Sequence, residues 1–139
     1  MAEGVFSKMV ADRKQEEIFS VESAGTVCYQ KGAAPDSRAV TAALAHGIDI
    51  SAQKACCIRD LELGRYTRIF AMDDDNFQEI IQYGGMLGEY LQVSKVADYL
   101  SDPFACSIED PYYGTTEDFF RVFRQLHEAL GNIYDELLQ

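Results

Sequence analysis

The stretch best equipped for proton chemistry in this sequence is Ser107-Ile-Glu-Asp-Pro-Tyr-Tyr-Gly114. A residue before proline is pushed out of the helical region, so Asp110 is expected on an extended, stiffened loop. Pro111 fixes its own backbone angle, and Gly114 lets the chain turn into the element that follows. A carboxyl group on such a loop, beside the rings of Tyr112 and Tyr113, suits a proton donor at the mouth of a cleft. On these residues alone a surface turn is the simpler reading. The other reactive groups are sparse. Cys28, Cys56, Cys57 and Cys106 show no Cys-x-x-Cys spacing, and His46 and His127 are the only histidines, so no zinc site is expected. The acidic run Asp73-Asp-Asp75 fits the positive end of a helix dipole, with no further oxygen ligands in view for a metal.

The elements that must position these groups follow from periodicity. Val5, Met9 and Val10 form an apolar stripe on a helix expected from Met1 to about Gln15. Ile18–Glu22 is a strand candidate leading into the small residues Ser23-Ala-Gly-Thr26. Asp36 should cap a helix through Ala39, Ala42, Ala43 and Leu44 that stops at Gly47. Ile48–Ser51 reads as a short extended piece and Ile58–Leu63 as a helical turn. Tyr66–Met72 is the clearest strand, with Ile69, Phe70 and Ala71 unalternated as in a strand buried on both faces. Asp73 caps a helix through Phe77, Ile80 and Ile81 to Gly84-Gly85, and Val93–Val96 is a weaker strand. Thr115 or Thr116 caps the longest helix, whose stripe is Phe119, Phe123, Leu126, Leu130, Ile133 and Leu137. Arg124 and His127 lie off that stripe and should be solvated. The alternation predicts an α/β domain with a parallel sheet over residues 1–139. Ligands of such folds sit at the carboxyl ends of the strands, the edge expected to carry Ser23, Tyr29 and Asp110.

Bulk properties bound the function. A chain of 139 residues with net charge −11 is poorly suited to nucleic-acid phosphates or an anionic membrane surface. No apolar run reaches the length of a membrane span, and the expectation is a cytoplasmic protein with free thiols and no cofactor.

Several segments, in order, resemble the low-molecular-weight protein tyrosine phosphatases over essentially the whole chain. They are Met1-Ala-Glu-Gly-Val-Phe6, Val21-Glu-Ser-Ala-Gly-Thr26, Pro35-Asp-Ser-Arg-Ala39, His46-Gly-Ile-Asp-Ile50, Ala71-Met-Asp73 with Asn76, and Ile108-Glu-Asp-Pro-Tyr-Tyr-Gly114. The resemblance implies a three-layer domain whose parallel sheet is flanked by helices, acting on phosphotyrosine proteins or aryl phosphates. It also implies roles. Asp110 resembles the acid that protonates the leaving tyrosine oxygen, and Tyr112 and Tyr113 the paired tyrosines beside the cleft. Tyr29 occupies the position of the aromatic wall, with Gln30 beside it, and Ser23 that of a buried hydroxyl supporting the phosphate-binding loop.

The family opens with a hydrophobic strand and a loop of Cys, five residues, Arg and Ser or Thr; this sequence begins at the helix that follows. Six places beyond its cysteines stand Ala34, Glu62, Leu63 and Tyr112, so none begins such a loop. Gln53 and Cys56 also stand where family members commonly carry His and Arg. By the resemblance, the absent strand belongs in the middle of the sheet, between Ile18–Glu22 and Tyr66–Met72. The gap is expected to close by direct pairing of those two strands, by another chain's segment or by local unfolding, and exposed sheet edges would allow a homo-oligomer. Two readings stay open: a phosphatase whose first strand and loop lie outside these residues, or a catalytically dead homologue serving as a binding or regulatory module. Either way, these residues alone are expected to lack phosphatase activity.

Overall fold

A computed structural model describes residues 1–139. The first helix, α1 (Ala2–Asp12), buries Gly4, Val5, Phe6, Met9 and Val10. It ends earlier than the expected Gln15 because Lys14 takes a left-handed conformation (φ 54°), and the Gln15 amide folds back onto the Val10 carbonyl. Helix α2 (Ser37–Leu44) starts at Asp36, whose side chain accepts the Arg38 amide at 2.9 Å. Gly47 (φ 75°) turns the chain out of it, as expected.

The sheet is parallel but small. Strand β1 (Ile69–Ala71) pairs with β2 (Val93–Lys95) in the register Ile69↔Val93, Phe70↔Ser94 and Ala71↔Lys95. Between them runs α3 (Asp74–Gly84), capped by the Asp73 carboxylate on the Asn76 amide at 2.7 Å. The expected strand at Ile18–Glu22 does not form. Ile18 lies in a turn and is 66% exposed, and residues 20–24 share no backbone–backbone hydrogen bond with any other part of the chain. A strand needs a neighbour to pair its N–H and C=O groups, and none lies beside this segment. Direct pairing with β1 is therefore ruled out as the way this gap closes: β1 has β2 as its single partner, and the only other ladder contact is a parallel bridge, Gly25↔Cys57.

The long helix α4 (Thr116–Leu137) organises the rest. It buries Phe119, Val122, Phe123, Leu126, Ala129, Leu130, Ile133 and Tyr134, while Arg124 and His127 are exposed. Those side chains pack with α1, α2, Ile48, Ile50, Val96 and Ile108 into the main core; Ile58, Leu63, Ala71 and Ile80 form a smaller one. Contact between α1 and the Ile48–Ile50 segment requires Gly4, since a Cβ there would lie 2.5 Å from Ile50 Cγ2. No helix is long and apolar enough to cross a membrane.

Candidate active site

The Asp110 loop follows β2 in the chain, passes beside the end of β1 and enters α4. At its start the Ile108 amide donates to the Met72 carbonyl at 2.7 Å, and the buried Ile108 side chain joins the main core. Asp110 is exposed, and its Oδ1 accepts the Tyr112 amide at 3.0 Å, a local turn that fixes the carboxyl against its own loop. The Gly114 amide donates to the Pro111 carbonyl at 2.8 Å. Glycine is required at 114 for space, because a Cβ would collide with the Asp118 carboxylate. That carboxylate caps α4: it accepts the Thr115 amide at 2.7 Å and the Thr115 hydroxyl at 3.1 Å. These bonds, with Arg121, hold the Asp118 carboxyl below the usual carboxylate range.

A cavity of about 340 Å³ opens beside Asp110; its polar lining includes Ser23, Asp73, Asn76 and Glu109. Its ionisable side chains are all acidic, and no lysine, arginine or cysteine lines it. Met1 also lines it, and desolvation lowers the pKa of its amine, with Glu3 opposing the shift.

Of the residues singled out in the sequence, Asp110 and Ser23 share this cavity. Ser23, however, is exposed rather than buried, and its hydroxyl donates to Glu3 Oε2 at 2.5 Å. It thereby ties an irregular segment to the first turn of α1, where an acidic side chain also meets the helix dipole. Tyr112 and Tyr113 stand on the loop's outer side with their rings edge to face, centroids 5.1 Å apart, Tyr113 being 97% exposed. Tyr29 is 84% exposed, and neither it nor Gln30 lines the cavity.

The expectation of free thiols fails for two of the four cysteines. Cys28 and Cys57 form a disulfide, with Cα atoms 4.9 Å apart, while Cys56 and Cys106 are free. A separation of 29 residues carries no local signal for this pairing. The Gly25↔Cys57 bridge and the bond from the Gly32 amide to the Ala55 carbonyl (2.7 Å) bring the Tyr29 loop alongside residues 55–57.

Arg38, within the Pro35-Asp-Ser-Arg-Ala39 segment, makes contacts that its sequence neighbours do not reveal. The Arg38 guanidinium is gripped by the Asp36 carboxylate through Nε (3.0 Å) and Nη2 (2.8 Å) and lies 4.5 Å over the Phe119 ring. These bonds hold the Asp36 carboxyl below its ordinary range. The same guanidinium donates to the Tyr112 and Gly114 carbonyls, both at 2.9 Å.

A family model described as low molecular weight phosphotyrosine protein phosphatase matches residues 1–139. The Sus scrofa low molecular weight phosphotyrosine protein phosphatase is 30% identical over 125 residues, covering 90% of this chain and 78% of that protein. The low molecular weight protein-tyrosine phosphatase A of Mycobacterium bovis is 29% identical over 140 residues, 97% of this chain and 81% of that one. The crystal structure of a protein tyrosine phosphatase from Entamoeba histolytica, with Hepes in its active site, superposes with a TM-score of 0.89 at 27% identity. That match covers 98% of this chain and 86% of the other.

Proposed function

The chain belongs to the low molecular weight phosphotyrosine protein phosphatase family, and from that premise we propose that residues 1–139 carry the leaving-group side of a phosphotyrosine monoesterase site without completing it. Asp110 is the proton donor for the departing aryl oxygen, with Tyr29, Gln30, Tyr112 and Tyr113 as the surfaces that meet the substrate. The observation that carries this reading is the cavity beside Asp110, whose side chains include acids but no basic group and no thiol. A phosphoryl group needs donors aimed at its oxygens and a nucleophile at phosphorus. The carboxylates of Asp73 and Glu109 would instead repel its negative charge.

Magnitudes support incompleteness. A general acid supplies about 10²–10⁴ in rate, whereas enzymes accelerate phosphate-monoester hydrolysis by up to ~10²¹. Asp110 alone falls short by many orders of magnitude. The exposure of Tyr113 and Tyr112 (97% and 54%) favours a second reading, in which this domain presents those rings to a partner as a binding module. The compartment proposed is the cytoplasm, where reducing conditions would open the Cys28–Cys57 bond.

The test is a titration of inorganic phosphate and phenyl phosphate into the isotopically labelled chain, followed by amide NMR. The result expected is no saturable change at Met1–Val5 or Asp110–Gly114. Saturable shifts at both segments would overturn the proposal of an incomplete site.

A further inference from the structure

We infer that Arg38 is the positioning residue of the acid loop: it fixes the backbone that presents the Asp110 carboxyl to the cavity. The inference takes from the proposed function only the role of Asp110 as proton donor.

Between Glu109 and Gly114 the loop makes two hydrogen bonds of its own, Tyr112 amide to Asp110 Oδ1 and Gly114 amide to Pro111 carbonyl. Both move with the loop and cannot place it on the body. The hydrogen bonds that reach this span from elsewhere both come from Arg38: Nη2 to the Tyr112 carbonyl and Nη1 to the Gly114 carbonyl, each 2.9 Å and spanning 74 and 76 residues of sequence. Arg38 is itself immobilised. The Asp36 carboxylate takes its Nε and Nη2, Phe119 lies beneath its guanidinium plane, and its backbone belongs to the first turn of α2. Four N–H groups of a rigid planar fork are therefore committed, two to an anchor and two to the loop, a geometry that a single ammonium cannot reproduce. Phe119 sits in α4 directly after the loop, so the same guanidinium also sets the loop against the helix it enters.

The experiment compares the chain with Arg38→Ala and Arg38→Lys by amide hydrogen exchange and by the pH dependence of the Tyr112 amide shift. That amide donates to Asp110 Oδ1 and so reports the carboxyl's protonation; Glu109, Asp73 and the Met1 amine are the other titrating groups at the cavity and are followed alongside. In Arg38→Ala, exchange at Tyr112 and Gly114 should rise by ~10–100-fold, as expected for losing hydrogen bonds from a charged donor. The Tyr112 shift should stop tracking Asp110, while amides of Val5–Val10 and Phe123–Leu130 keep their protection. Arg38→Lys retains the charge and the stem over Phe119 but reaches one carbonyl, so it should fall between the two.

Unchanged exchange and an unchanged Tyr112 profile in Arg38→Ala would overturn the inference. A uniform loss of protection across the chain in both variants would overturn it too, since Arg38 would then support the whole fold rather than the loop. No phosphate compound enters the measurement, so its failure is distinct from failure of the proposed function.

Discussion

Reducing the Cys28–Cys57 disulfide removes a tie between residues separated by 29 positions in the sequence. In the loop-entropy description, closing a loop of that length withdraws about 12 cal/mol/K from the unfolded ensemble, or about 3.6 kcal/mol at room temperature. For a chain of this size that corresponds to roughly 10 °C in melting temperature. The folded state should survive the reduction. Four backbone hydrogen bonds across the same interface remain: Gly25 amide to Cys56 carbonyl (2.8 Å), Ile58 amide to Gly25 carbonyl (3.0 Å), Gly32 amide to Ala55 carbonyl (2.7 Å) and Ala55 amide to Ala33 carbonyl (2.9 Å). The assay is thermal unfolding of air-oxidised protein with and without dithiothreitol, together with thiol counting after denaturation. The oxidised chain should show two reactive thiols, Cys56 and Cys106, and should melt well above the reduced one. Coincident melting curves, or four reactive thiols in the oxidised sample, would refute the reasoning. Cys28→Ser should reproduce the reduced curve whether or not reductant is present.

Two further outcomes follow from individual side chains. Tyr134 is 1% exposed and its hydroxyl has no hydrogen-bond partner, so Tyr134→Phe should stabilise the fold by about 1 kcal/mol; a loss of similar size in denaturant unfolding would show that the hydroxyl is paired. Tyr66 donates to the Glu22 carboxylate, and this bond raises its pKa to about 12. Since the folded value exceeds the unfolded one, the stability it contributes is fully present below about pH 10 and is lost as pH rises toward 12. Phenolate absorbance of Tyr66→Phe should lack one late-titrating group; an unchanged high-pH limb would contradict the assignment.

How far the sequence reveals the structure depends on whether the cause is local. The stripe on α4 shows because helical periodicity is written into neighbouring turns, and the caps at Asp36, Asp73 and Thr115 act within three residues of themselves. Ile18–Glu22 has the composition of a strand but no neighbour with which to pair, and pairing is a tertiary property. The family resemblance places the Ser23 hydroxyl beneath a loop that these residues do not contain; in its place the hydroxyl finds Glu3. The Asp110 segment could be found because Asp-Pro-Tyr-Tyr-Gly restricts its own backbone. What holds that segment could not, since Arg38 acts across more than seventy residues and its sequence neighbours explain only its bond to Asp36. The Cys28–Cys57 pair is hidden for the same reason, being brought together by the Gly25 bridge rather than by spacing.

The most direct test is hydrolysis of an aryl phosphate by the purified 139-residue chain and by Asp110→Asn, followed over hours at mildly acidic pH. An incomplete site predicts that both release phenol at the buffer rate. Turnover above that rate, abolished in Asp110→Asn, would mean that these residues already hold a nucleophile and a phosphate cradle, and would contradict the account.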